Sequence, residues 1–228
     1  MSEGEHAVYV CEQVREVERL HRDLLTDAAR RLPIREHLDR QAHRILDGHQ
    51  ASNRAVVTHI TCWHPTLACC SADEIMDSDL TLDDARQTIV REYGFTDWSD
   101  VEARGSTPPD QDFEIAVDAL LRGDVQKLRE LFAGDPTLIQ RRSSYGHRAT
   151  LLHYVGSNGV ETYRQRVPMN LVEVTRLLIE AGANVNATAN MYGGGSTTLG
   201  LLITSDHPAK AGVTGEVRKV LVDAGAKE

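Results

Sequence analysis

Apolar residues recur at three- and four-residue intervals along most of the chain, the period of an amphipathic helix and not of a strand. The clearest case is 170–187, where Leu171, Val174, Leu177, Leu178 and Ala181 form one stripe. Gly182 follows, where a helix ends cheaply in the left-handed conformation, and Asn184 and Asn186 suit the tight turn after it. The ending Ala181-Gly182-Ala183 returns 43 residues later as Ala224-Gly225-Ala226. A single amphipathic helix cannot bury its stripe alone, so a repeated one predicts stacked neighbours. Upstream, Val10, Val14, Val17, Leu20, Leu24 and Ala28 predict a long helix over 7–31, ended by Pro33. Further helices are expected over 35–49 and 51–62, the second carrying His59 inward. Another opens at Thr81 as N-cap, with Asp83 and Asp84 in its first turn, and stops at Gly94. A short one follows over 95–101, with Phe95 and Trp98 expected as core anchors and not as ligand-stacking rings. The segments 113–121 and 125–132 form the next helical pair.

The order helix, Gly-Ala, Asn-Val-Asn at 171–186 resembles the second helix and turn of an ankyrin repeat. Thr150-Leu151-Leu152-His153 stands where that family has its Thr-Pro-Leu-His box, with Leu in place of Pro, and Thr197-Thr198-Leu199-Gly200 is a weaker copy. The boxes lie 47 residues apart, against an ankyrin period of about 33. The excess reads as insertions near 161–169 and 205–214. The string Asp84-Ala85-Arg86 through Tyr93-Gly94-Phe95-Thr96-Asp97-Trp98 resembles the helical segment preceding the repeats in a group of bacterial ankyrin-repeat proteins. The resemblance implies an all-α fold: a helical N-terminal region over 1–105, a linker over 106–111, and an α-solenoid of about three ankyrin repeats over 112–228. The function it implies is a protein-interaction module.

Composition agrees with helices, since aromatics are only 5% of the chain. The net charge of −9 falls almost wholly in residues 1–105, so nucleic acid is not an expected partner. No apolar run approaches the ~18 residues of a membrane span, and no leader-like segment opens the chain. Four cysteines without scaffold spacing fit a reducing compartment, so the expected location is cytoplasmic.

Chemistry is expected in the two insertions, because a plain repeat needs neither and loops on a rigid scaffold carry binding residues. Tyr163, Arg164 and Gln165 of the first are expected to meet Tyr192, Ser205 and His207 across a groove, with His153 beneath. Arg164 offers a planar fork for a carboxylate or phosphate. His207, His153 and Tyr163 are the candidates for moving a proton, although His153 equally fits a histidine that bonds backbone across the turn. The partner is thus another protein or, in the alternative reading, a small anionic metabolite bound or acted on between the insertions. His59, Cys62 and His64 lack the paired spacing of a zinc site, and Gly193-Gly194-Gly195 lacks the Lys-Ser/Thr of a phosphate loop, so neither metal nor cofactor is expected.

Overall fold

The computed structural model describes residues 6–227 and is predominantly helical. Among the described residues no helix is long and apolar enough to cross a membrane. The chain divides into two compact units, one formed by Glu12–Pro109, the other by the residues up to Cys11 together with those from Asp110 onward.

The first unit contains α1 (Glu12–Leu20), α2 (Ile34–Gln50), α3 (Ala55–Trp63), α4 (Ala72–Met76), α5 (Leu82–Glu92) and α6 (Trp98–Arg104), with short 3-10 turns between. α2 packs on α5, and α3 on both α1 and α5. Val17, Leu38, Ile45, Val56, Ile60 and Ile89 are fully buried in its core. The long helix expected over 7–31 is interrupted at Leu20. There the Arg44 guanidinium donates to the Leu20 carbonyl at 2.9 Å, and His21 turns inward to meet His59 at 3.2 Å. Thr81 opens α5 through a reciprocal capping box, accepting from the Asp84 amide at 3.2 Å while Asp84 accepts from the Thr81 amide at 2.9 Å.

The second unit begins with β1 (Val8–Tyr9), which pairs antiparallel with β2 (Val167–Pro168), Val8 facing Pro168. Val8 and Tyr9 are thus a strand and not the start of the helix expected over 7–31. The unit continues through α7 (Gln111–Arg122), α8 (Val125–Gly134), a 3-10 helix (Leu151–Gly156), α9 (Leu171–Glu180), a small hairpin of β3 (Thr188–Ala189) and β4 (Ser196–Thr197), α10 (Thr198–Thr204), α11 (Asp206–Lys210) and α12 (Thr214–Asp223). α7, the 3-10 helix and α10 pack side by side in one row; α8, α9 and α12 form another. Phe113, Leu120, Leu152, Val174, Leu178 and Leu202 belong to the apolar core between them.

Gly123 shows how tightly these rows are joined. It ends α7 at φ +71°, and its carbonyl accepts from the Asn170 side-chain amide at 2.9 Å, which ties the end of α7 to the start of α9. A Cβ there would lie 2.1 Å from Asn170 Oδ1. Gly123→Ala is therefore expected to destabilise this unit by at least the ~1–2 kcal/mol that a left-handed L-residue costs, read as a lower urea midpoint for exchange-protected α9 amides. An unchanged midpoint would refute the account.

Candidate functional site

The most unusual group of side chains in the second unit is buried and charged. Arg164, on a 3-10 turn (Thr162–Arg164), is 1% exposed. Its guanidinium donates to Glu114 Oε2 at 2.6 Å and to Glu161 Oε1 at 3.1 Å, with Asp118 Oδ1 at 3.4 Å. Glu114 and Asp118 are one helical turn apart on α7, so they present two carboxylates to the same point. Aromatic rings complete the enclosure: the guanidinium carbon lies 5.3 Å from the Tyr163 centroid and 6.0 Å from that of Tyr154. His147 accepts from the Ala149 amide through Nδ1, which leaves the proton of the neutral ring on Nε2, 3.8 Å from Glu161 Oε2.

The electrostatics follow from burial. A charge taken from water needs a partner, and one guanidinium here serves three carboxyl groups. Burial alone would raise both glutamates. For Glu161 the charge of Arg164 and the His147 contact outweigh it, and the carboxyl falls to about 2. For Glu114 burial wins, aided by Glu161 and Asp118 against Arg164, and its pKa is raised. Burial also pushes the Tyr145 and Tyr154 hydroxyls well above their usual value, so both stay neutral. The arrangement clamps the 162–164 turn onto α7.

The residues that sequence reasoning singled out are distributed over separate places. Tyr163 and Arg164 belong to the buried clamp, and the fork of Arg164 is filled by the chain's own carboxylates. Gln165 donates to the Val160 carbonyl at 2.8 Å, closing the same loop. His153 is fully buried; its Nδ1 accepts from the Thr150 amide at 3.1 Å and its Nε2 meets the Ser196 carbonyl at 3.2 Å. Burial lowers this imidazole to about 4, against the opposing hydrogen bond that it donates to the Ser196 carbonyl. Ser205 caps α11 and donates to the Ser157 carbonyl at 3.0 Å. His207 sits half-buried beside it, lowered by burial and by Lys210.

Tyr192 differs from all of these. It is 65% exposed, stands at φ +51°, and precedes three glycines also at positive φ. Its hydroxyl donates to Asn158 Oδ1 at 2.6 Å, and the Asn158 amide reaches Thr204 Oγ1 at 3.1 Å. Thus the turn after the 3-10 helix, the Gly-rich loop and the end of α10 are tied together beneath an outward ring.

Glu114, Asp118, His147 and Glu161 were missed because each reads as an ordinary polar residue in a helix or loop. One trace of them exists in sequence: Glu114 lies among the apolar Phe113, Ile115, Ala116 and Val117. The structure buries Glu114 and leaves Ile115 42% exposed. In the first unit, His59 and His64 serve protein partners: His59 Nε2 meets Glu92 Oε2 at 2.5 Å, and His64 Nδ1 accepts from the Leu67 amide at 2.9 Å. Comparison of the chain with family models, with curated proteins and with solved structures finds no match to any of them.

Proposed function

We propose that the second unit is a three-repeat ankyrin-like stack in a cytoplasmic protein and acts as a protein-interaction module whose contact surface centres on Tyr192. The repeat reading is supported by one interaction made twice. Gln140 donates to the Gly182 carbonyl at 2.6 Å, and Asn186 donates to the Gly225 carbonyl at 3.0 Å, each linking the turn of one helix pair to the glycine that ends the next. His153 supports it as well, its Nδ1 accepting from the Thr150 amide across its own turn while its Nε2 meets the Ser196 carbonyl of the following hairpin. The observation that carries the binding reading is the exposed Tyr192 ring, whose hydroxyl is fixed by Asn158. Aromatic residues dominate interface energetics, and a ring already held in place loses little entropy on docking. Ile203, 54% exposed on α10, adds apolar area to the unit's surface.

The test is photo-crosslinking in a lysate of the source organism, with a benzophenone residue placed at position 192 or 203 and, as control, at Lys219. A discrete adduct at 192 and 203 but not at 219, competed away by unlabelled parent and not by Tyr192→Ala, is the expected result. The alternative is a protein that binds or transforms a small anionic metabolite. No adduct, together with a rise in melting temperature on adding such a metabolite, would replace the first reading by the second.

A further inference from the structure

α5 ends in a Schellman turn. Gly94, at φ +70°, donates to the Arg91 carbonyl at 3.2 Å, and Phe95 donates to the Val90 carbonyl at 2.9 Å. The chain reverses there and starts α6 at Asp97, whose carboxylate caps the Asp100 amide at 2.9 Å and accepts from Ser99 Oγ at 2.5 Å. This sequence of turn and cap delivers Trp98 back over α5. Phe95 is buried, as expected of a core anchor, but Trp98 is only half-buried. It forms one wall of a cleft of about 420 Å³, with Val90 and Pro65 as the other apolar surfaces. That volume lies within the range of small-molecule sites.

The polar groups around the cleft divide into committed and uncommitted. Arg86 stacks on the Trp98 ring at 4.7 Å and donates to Asp39 Oδ1 at 2.7 and 3.1 Å, so its charge is neutralised and its position fixed. Asp83 lies 3.8 Å from the same guanidinium, and Asp97 is used as the helix cap. Arg91 is different. Among the described residues no carboxylate lies within ion-pair distance of it, and the side chain of Gln87 on the same rim has no hydrogen-bond partner there either, whereas Thr96 is bonded to Asp100. The cleft therefore combines a flat aromatic wall, an apolar floor, one uncompensated cation and one further hydrogen-bonding group, Gln87.

We propose that this cleft binds a small planar aromatic carboxylate, its ring against Trp98, Val90 and Pro65 and its carboxylate on the Arg91 fork. A planar ring matches the Trp98 face, where stacking of offset rings adds to area burial. A carboxylate matches the planar fork of Arg91 and leaves no buried acid facing it, because both nearby aspartates are engaged elsewhere. A neutral ring would gain the apolar contacts and forgo the charge-assisted bonds. The Tyr192 surface belongs to the other unit and plays no part in this site.

The chain has two tryptophans, Trp63 and Trp98, so two indole N–H signals report on it and Trp63→Phe assigns them. The full chain would be titrated with 2-naphthoate and with its neutral carboxamide. The Trp98 signal is expected to move saturably with 2-naphthoate while the Trp63 signal stays in place. The carboxamide and Arg91→Gln are each expected to weaken binding by about tenfold or more, as loss of a charge-assisted bidentate contact requires. Arg129→Gln, which changes an exposed arginine of the other unit, should leave the affinity unaltered. Arg91 is exposed and unpaired, so its replacement leaves the fold intact, and unshifted amide signals elsewhere check this. A Trp98 signal that does not respond, equal affinity for acid and amide, or unchanged affinity in Arg91→Gln would each overturn the proposal.

Discussion

Replacing Arg164 with Ala is expected to destabilise the second unit by about 3–5 kcal/mol, the range for removing one partner of a buried ion pair. The reason is what stays behind. Glu161 is fully buried and Glu114 nearly so, with Asp118 beside them, and the guanidinium donates to both glutamates. The residual stability would be read by hydrogen exchange of peptides from α7 and α9, since both tryptophans lie in the other unit. Removing the stranded charge should reverse most of the loss, so Arg164→Met combined with Glu114→Gln and Glu161→Gln is expected to approach the parent. A loss in the single variant below about 1 kcal/mol, the value of a solvent-exposed pair, would show that the clamp does not hold this turn.

The second large effect is on acid stability. His153 has an ordinary pKa of 6.5 in the unfolded chain and about 4 in the fold, because burial opposes its charge. Between those values the unfolded chain binds a proton that the folded one refuses. Its contribution to stability is therefore complete above about pH 6.5, declines as the pH falls to about 4, and amounts to about 3.5 kcal/mol at ~1.4 kcal/mol per unit. His207 shifts in the same direction, by burial first. Glu161 acts lower down: its contribution is complete above 4.5 and is lost as the pH falls towards about 2. Glu114, raised by burial, has the opposite sign, stabilising below its ordinary 4.5 and losing that contribution as the pH rises, which offsets part of the histidine effect. Urea midpoints of peptides spanning 151–155, followed across this range, should fall steeply below about pH 6.5. In His153→Gln the proton uptake on unfolding should drop by about one. The same slope in both proteins would locate the acid sensitivity elsewhere.

Helices were legible in the sequence wherever periodicity and punctuation agreed. The α9 stripe with Gly182, the α5 N-cap at Thr81 and the stop at Gly94 all depend on local rules, caps and positive φ, that act within one turn. Where a distant group intervened, local reading failed. Helical spacing in 7–31 is genuine, yet α1 ends at Leu20 because Arg44 takes its terminal carbonyl and His59 draws in His21. The same spacing placed Val8 in a helix, whereas a backbone ladder with Val167–Pro168 makes it a strand. Trp98 carried every mark of a core anchor, but the turn at Gly94 and the cap at Asp97 set it in a cleft wall.

The candidate chemistry divides the same way. The sequence by itself determined that the chain is helical and acidic, and it marked Tyr163, Arg164, Gln165, Tyr192, Ser205 and His207 as chemically distinctive. It did so because composition, period and spacing are properties of neighbours along the chain. Only the tertiary structure decided that Arg164 faces inward to Glu114, Asp118 and Glu161 while Tyr192 faces water, and that Arg91 borders a cleft where, among the described residues, no carboxylate lies within ion-pair distance of it. Such choices turn on which residues from distant segments arrive at one point, and a charge is costly or cheap according to that company alone.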